Sequence, residues 1–301
     1  MSWVLLAVLS ALFLGVYDLA KKAGVRANAV PPVLFFSVLT GAGVWLPLLT
    51  WSHLDPAGFP AARFLVQPLA WTEHGLLLLK SALVAGSWML NYFAVKHLPV
   101  SIASPIRATS PFWTILIAVT LLGERPSPVQ WCGIVVILTA FYAFSLVGRL
   151  EGIHFHRDRW VASMVGATLL GSLSALYDKY LLQTRGMDAA TVQCWFSLYL
   201  VPVLVPFYLL WRGGGFGSRE FTWRWSIPLI GLTLLVADFL YFIAIGQPDA
   251  LIAVISPLRR CAVLITFFGG IIAYGERNFR PKFACILMLL LGVALLNWKA
   301  F

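Results

Sequence analysis

Residues 104–125 read SPIRATSPFWTILIAVTLLGER, and residues 256–277 read SPLRRCAVLITFFGGIIAYGER. Both stretches open on Ser-Pro-X-Arg (Ser104 to Arg107, Ser256 to Arg259) and close on Gly-Glu-Arg (Gly123 to Arg125, Gly275 to Arg277), at one offset of 152 residues. The run between is apolar and long enough to form most of a membrane-crossing helix. A repeat of this kind doubles the fold, so the remaining sequence should carry further paired copies. It does: Tyr17-Asp18, with Lys21 nearby, recurs as Tyr177-Asp178-Lys179, and Tyr92-Phe93 recurs as Tyr241-Phe242. The chain divides into two halves, 1–148 and 149–301.

Composition places both halves in a bilayer. The 301 residues are 60% hydrophobic and 11% charged, with a mean hydropathy of +0.85, outside the range of soluble globular proteins. A span needs about 20 mostly apolar residues to cross a hydrocarbon core about 30 Å thick. Runs of that length fall at 3–22, 31–51, 75–95, 99–122, 128–147, 159–182, 189–211, 225–246, 250–274 and 281–299. The expected fold is therefore an all-α integral membrane protein, with ten transmembrane helices arranged as two five-helix repeats. Five spans per half return the chain on the opposite side, so the second repeat is inverted relative to the first. The chain opens without a basic n-region, so its first run reads as a retained span and not as a cleaved signal. Trp3, Trp51, Trp71, Trp131, Trp160, Trp211, Trp223 and Trp298 sit near proposed span ends, where an amphipathic ring gains from both phases. The longer connections, 52–72 and 212–224, read as loops, the first with an amphipathic segment lying at the interface.

Several function classes drop out. The net charge of +10 is scattered in ones to threes between apolar runs, which does not make a nucleic-acid-binding face. Cys132, Cys194, Cys261 and Cys285 lie in apolar runs without metal spacing and read as small buried residues. His74 and His97 read as interfacial, and His53, His154 and His156 as loop residues with no metal-ligand pattern. The metalloprotease His-Glu-x-x-His and the Gly-x-Ser-x-Gly nucleophile elbow are both missing from the sequence, which speaks against an enzyme and a cofactor. Lys and Arg fall 13 to 4 on the side reached after odd-numbered spans, counting Lys21 and Lys282 there, which puts that side in the cytoplasm and both termini outside.

Charged residues inside spans are costly and mark function by default. Lys80, Arg107, Lys179, Arg259 and Arg260 stand there with Asp18, Asp178 and Asp238. Repeat symmetry predicts the pairs Asp18–Arg107 and Asp178–Arg259, which serve either as structural ties or as part of a cavity wall. Arg260 and Asp238 have no counterpart in the first half, where Ala108 and the Gly86-Ser87-Trp88 region stand, so they point to a site weighted toward the second half. Two adjacent arginines can both face a cavity only if their helix is locally broken, since adjacent positions point about 100° apart. Pro257 supplies such a break, and Pro105 with Pro111 does so in the fourth helix. Asp178 and Asp238 could instead exchange a proton with substrate binding, or Asp238 could simply neutralise Arg260. Lys80, near the start of its span, reads as a snorkelling residue. Tyr17, Asn91, Tyr92, Tyr177 and Tyr241 read as cavity liners or interhelical hydrogen-bonding residues, and Gly41, Gly43, Gly166, Gly171, Gly269 and Gly270 as close helix contacts.

Ten spans in two halves, with each Ser-Pro segment leading into Leu122-Gly-Glu-Arg125 or Tyr274-Gly-Glu-Arg277, resemble the EamA-type repeats of the drug/metabolite transporter superfamily. The resemblance covers nearly the whole chain and implies a ten-helix secondary transporter, without specifying its substrate. The Gly-Glu-Arg of the family marks a helix end. Arg259 and Arg260, with Lys179 and Tyr241, look like the phosphate-holding set of sugar-phosphate exchangers in that superfamily. The reading is alternating-access transport of a small anionic or zwitterionic metabolite, with proton coupling open, by a monomer or homodimer in the plasma (inner) membrane. Export of cationic or amphipathic drugs or amino acids, and a non-transporting membrane accessory subunit, are the alternatives.

Overall fold

A computed structural model of the chain describes residues 3–56, 62–110, 112–113, 116–117, 127–149, 152–216, 220–247, 255, 258–275 and 278–296. Among these residues the structure is helical, without strands. The helices are α1 Trp3–Val25, α2 Val30–Leu54, α3 Trp71–His97, α4 Val100–Ala108, α5 Pro128–Arg149, α6 Arg159–Lys179, α7 Ala189–Arg212, α8 Ser226–Ile245, α9 Ala262–Tyr274 and α10 Phe279–Leu296. Seven of the described helices, α1, α2, α3, α5, α6, α7 and α8, are long and apolar enough to cross a membrane, α6 counted with the π-helical turn Tyr180–Thr184 that extends it.

Local sequence explains where they begin and end. Pro31 and Pro32 occupy the first turn of α2, where their missing N–H groups have no intrahelical partner to lose. Asp158 caps α6 by accepting from the Trp160 and Val161 amides at 2.7 and 3.2 Å, and Asp188 caps α7 through Thr191 at 2.9 Å. Pro99 bounds α4. Gly275, first residue of the second Gly-Glu-Arg, ends α9 at φ +65°, the left-handed turn that a glycine permits without a Cβ clash. Its sequence repeat Gly123, with Glu124, Arg125, Glu276, Arg277, Pro111, Pro257 and Trp298, lies outside the described residues.

The helices pack in a definite pattern. α1 lies along α8 and touches α9; α3 lies along α6, which also touches α4; α2 packs on α7 and α8, α3 on α7, α4 on α9 and α5 on α10. Several glycines allow close approaches between helices. A Cβ on Gly231 would collide with the Ser37 carbonyl of α2, one on Gly269 with Leu19 of α1, and one on Gly292 with Ile137 of α5. Among the described residues a Cβ on Gly43 would meet nothing within 4 Å and one on Gly41, Gly166 or Gly171 only ordinary contacts, so of these and Gly269 it is Gly269 that carries tight packing.

Other expectations need correction. Among its described residues, segment 52–72 forms a 3-10 turn at Ala62–Phe64 and is tied down where the Val66 amide donates to Ser52 and the Gln67 amide to Thr191. Cys132 is exposed on α5, whereas Cys194 and Cys285 are buried. Lys21 and Lys282, assigned to a loop side, are 1% and 0% exposed within α1 and α10. His97 stacks on Trp160 with centroids 3.7 Å apart, and His74 shares a 2.8 Å hydrogen bond with the Tyr199 hydroxyl.

Candidate functional site

A cavity of about 260 Å³ lies between α1, α8 and α9 on one side and α3, α4 and α6 on the other. Tyr17, Asn91 and Arg107 face it from the first half. Asp178, Lys179, Asp238, Tyr241, Arg259 and Arg260 face it from the second. Among the sequence candidates, Tyr92, which meets the Ser37 hydroxyl, Asp18 and Tyr177 stand apart from it. Asp18 lies behind Arg107 beside a void of only about 10 Å³. Tyr177 turns away, donating its hydroxyl to the Leu76 carbonyl at 3.2 Å and stacking on Tyr180.

The Asp18 end is closed by contacts that converge on one carboxylate. Arg107 of α4 engages it with both terminal nitrogens, Nη1 to Oδ1 at 2.8 Å and Nη2 to Oδ2. Such forked pairing matches guanidinium to carboxylate geometry. Lys21, one turn along α1, donates to the same carboxylate at 2.9 Å and to Asn91 of α3 at 3.0 Å, and its ammonium lies 4.5 Å from the Tyr17 ring. Thr266 of α9 donates at 3.4 Å. Lys22 continues the closure by donating to the Val95 and Leu98 carbonyls, each at 2.7 Å, at the end of α3. Predicted pair Asp18–Arg107 therefore exists, joined by a lysine that the pairing argument did not include.

The Asp178 end is built differently. Asp178 pairs with Lys80 of α3, not with Arg259. Arg259 instead donates Nη2 to Asp238 of α8 at 2.9 Å, with its guanidinium 3.8 Å over the Tyr241 ring. The predicted Asp178–Arg259 pair is replaced because each partner finds a nearer group on its own flank of the cavity. Lys80 does not snorkel: it is 2% exposed, between the Phe196 and Phe242 rings at 4.5 and 5.2 Å. Asp238 neutralises Arg259 and leaves Arg260 without a carboxylate among the described residues.

Both arginines reach the cavity because their helix is interrupted immediately after them. The Cys261 amide donates to Leu258 at 3.1 Å and the Leu264 amide to Cys261 at 3.0 Å, a tightened i to i+3 pattern. The first half does the same 152 residues earlier, Thr109 to Ile106 at 3.1 Å and Phe112 to Thr109 at 2.9 Å. The interruption follows Arg107 at Thr109, whereas Pro105 sits inside α4 without breaking it.

The wall has donors to spare. Arg259 Nε, Arg260 Nε and the Ser104 hydroxyl are buried and meet no hydrogen-bond partner among the described residues. Buried polar groups are normally paired, so these three are where a ligand with acceptor oxygens would gain most. Among the described residues no group of His, Cys, Asp and Glu is placed to hold a metal ion. Sequence reasoning missed Lys80 and Lys21 as members of the site. Lys80 was missed because its span was drawn from 75, whereas α3 begins at Trp71 and carries Lys80 more than two turns in; for Lys21 the signal was the i, i+3 spacing from Asp18.

Residues 1–146 match the profile of the EamA-like transporter family. A riboflavin transporter of Brucella anthropi is 27% identical over 88% of this chain and 88% of its own length. The pseudopaline exporter CntI of Pseudomonas aeruginosa is 30% identical over 50% of this chain and 53% of its own. A solved crystal structure superposes on 99% of this chain and 97% of its own with a TM-score of 0.63 at 14% identity, a likeness of fold alone. Residues 1–146 thus resemble the EamA-like transporter family, and the chain is a multi-pass membrane transporter and not an enzyme.

Proposed function

We propose that the chain is a ten-span secondary transporter of two inverted five-helix repeats, which carries a small anionic or zwitterionic metabolite through the central cavity by alternating access. The packing pattern supports the repeat. Exchanging α1 to α5 with α6 to α10 turns the α1/α8 contact into the α6/α3 contact, α2/α8 into α7/α3 and α1/α9 into α6/α4, while α2/α7, α4/α9 and α5/α10 map onto themselves. The matching interruptions after Arg107 and Arg260 support it independently.

The observation that carries the substrate charge is Arg260, a cation in the cavity wall without a carboxylate among the described residues and with an unmet Nε. Among the described residues, Asp178 and Asp238 in the cavity wall and Asp18 behind it each already hold a cation, so an incoming cation would find its partners taken. A carboxylate or phosphate would find Arg260 and the spare edge of Arg259. The riboflavin-named relative adds a planar, uncharged solute as the reading to compare, because Tyr17, Trp88 and Tyr241 also line the cavity.

Thermal melting of the purified protein with phosphorylated, carboxylated, zwitterionic and cationic metabolites and with riboflavin tests this directly. A ligand that binds the native state raises its melting temperature with the logarithm of concentration. The expected result is a rise with one anionic or zwitterionic class that vanishes in Arg260→Ala. A rise with cations or riboflavin alone, unchanged in Arg260→Ala, would overturn the anion reading.

A further inference from the structure

Each of the two repeat-related aspartates has a lysine of its own. Asp18 holds Lys21, and Asp178 holds Lys80. The repeat-related arginines are in unlike positions: Arg107 is on Asp18, whereas Arg259 is off Asp178 and on Asp238. The difference has a spatial meaning. α1, α8 and α9 form one flank of the cavity and α3, α4 and α6 the other. The Asp18–Arg107 pair crosses between flanks, from α1 to α4, and so does the Lys21 bond to Asn91 on α3. Neither ion pair at the other end crosses. Lys80–Asp178 joins α3 to α6 and Arg259–Asp238 joins the segment leading into α9 to α8, each within one flank.

Position along α3 separates the two ends. Asn91, at the Asp18 end, is eleven residues from Lys80, about 16 Å along a helix rising 1.5 Å per residue. The large void runs along α3 from Asn91 to Lys80 and reaches Asp178, Tyr241 and Ile245, whereas Asp18 itself borders only a space of about 10 Å³. Among the described residues, ion pairs thus bridge the flanks at one end, whereas at the other the flanks meet only through apolar side chains and the Lys80–Phe242 contact.

We infer that Asp18–Arg107 and Asp178–Arg259 are alternating latches: the state seen here has the first closed and the second open, and the opposite access state closes Asp178–Arg259 and opens Asp18–Arg107. Lys21 and Lys80 are the resident counter-charges that let each arginine leave without stranding a bare carboxylate in the membrane. Leaving such a carboxylate unpaired would otherwise oppose the motion strongly. The interruptions at Thr109 and Cys261, two residues after each latch arginine, let those segments tilt without breaking regular helix. This inference rests on the alternating-access reading of the preceding subsection.

Hydrogen–deuterium exchange of the full chain in lipid nanodiscs tests it, with two variants at each latch. Asp18→Asn and Arg107→Gln should raise exchange at least about tenfold in residues 17–25 and 91–97 and lower it in 176–184 and 238–245, since exchange follows the population of the open form. Asp178→Asn and Arg259→Gln should leave the 17–25 and 91–97 segments as protected as in the wild type, or more so. The latch is refuted if all four variants only loosen the segment around their own substitution, or if breaking Asp18–Arg107 leaves the 176–184 segment unchanged. Failure of the transport reading looks different: opposite shifts with no anion bound would keep the latch and remove the proposed substrate, whereas anion transport with merely local shifts would remove the latch alone.

Discussion

The two ends of the cavity use nearly the same residue types and reach opposite results. At one end a single carboxylate, Asp18, gathers Arg107, Lys21 and Thr266 from three helices and leaves almost no space. At the other, two carboxylates divide two cations between them, each pair stays on its own flank, and Arg260 is left over in an open cavity. Charge composition therefore does not decide which end is sealed. What decides it is whether an ion pair spans the gap or lies along one wall.

The same contrast predicts how unequal the two ends should be when cut. Lys80→Met strands Asp178 with no cation and should cost about 3–5 kcal/mol of stability, seen as a large fall in melting temperature in detergent. Adding Asp178→Asn should recover most of it. Lys21→Met should cost less, about 1.5–3 kcal/mol, because Asp18 keeps Arg107; equal losses at the two lysines would break the comparison. Arg260→Met should lower anion affinity about 10- to 100-fold by isothermal titration while leaving melting temperature unchanged or raised, since the lost cation has no protein carboxylate to abandon. A packing control away from both ends sharpens the scale. Gly231→Ala, which meets the α2 backbone, should cost about 1–3 kcal/mol, whereas Gly43→Ala, with nothing near it, should stay within about 0.5 kcal/mol.

Much of the architecture could be read without coordinates. The proposed spans agree with the described helices to within a few residues at α1, α2, α5, α7 and α8, because a hydrophobic run must cover the bilayer and its backbone must bond within itself. The Asp18–Arg107 pair was legible from the repeat. Lys80 was not, because its role depends on α6 lying alongside α3, a neighbour more than ninety residues away in sequence. The tight glycines were equally hidden. Gly231 and Gly43 look alike in sequence, and only the approach of α2 makes one indispensable and the other idle.

Sequence by itself determined that the chain carries runs apolar enough to cross a membrane, that short motifs recur in it at one offset, and that charges stand within those runs. Hydropathy, offset and the cost of burying a charge are local or additive, so one dimension suffices for them. Which charge meets which was decided only by tertiary packing. A buried carboxylate takes the nearest cation that can satisfy its geometry, and nearness across a cavity between two flanks depends on how the helices lean, which no spacing along the chain records.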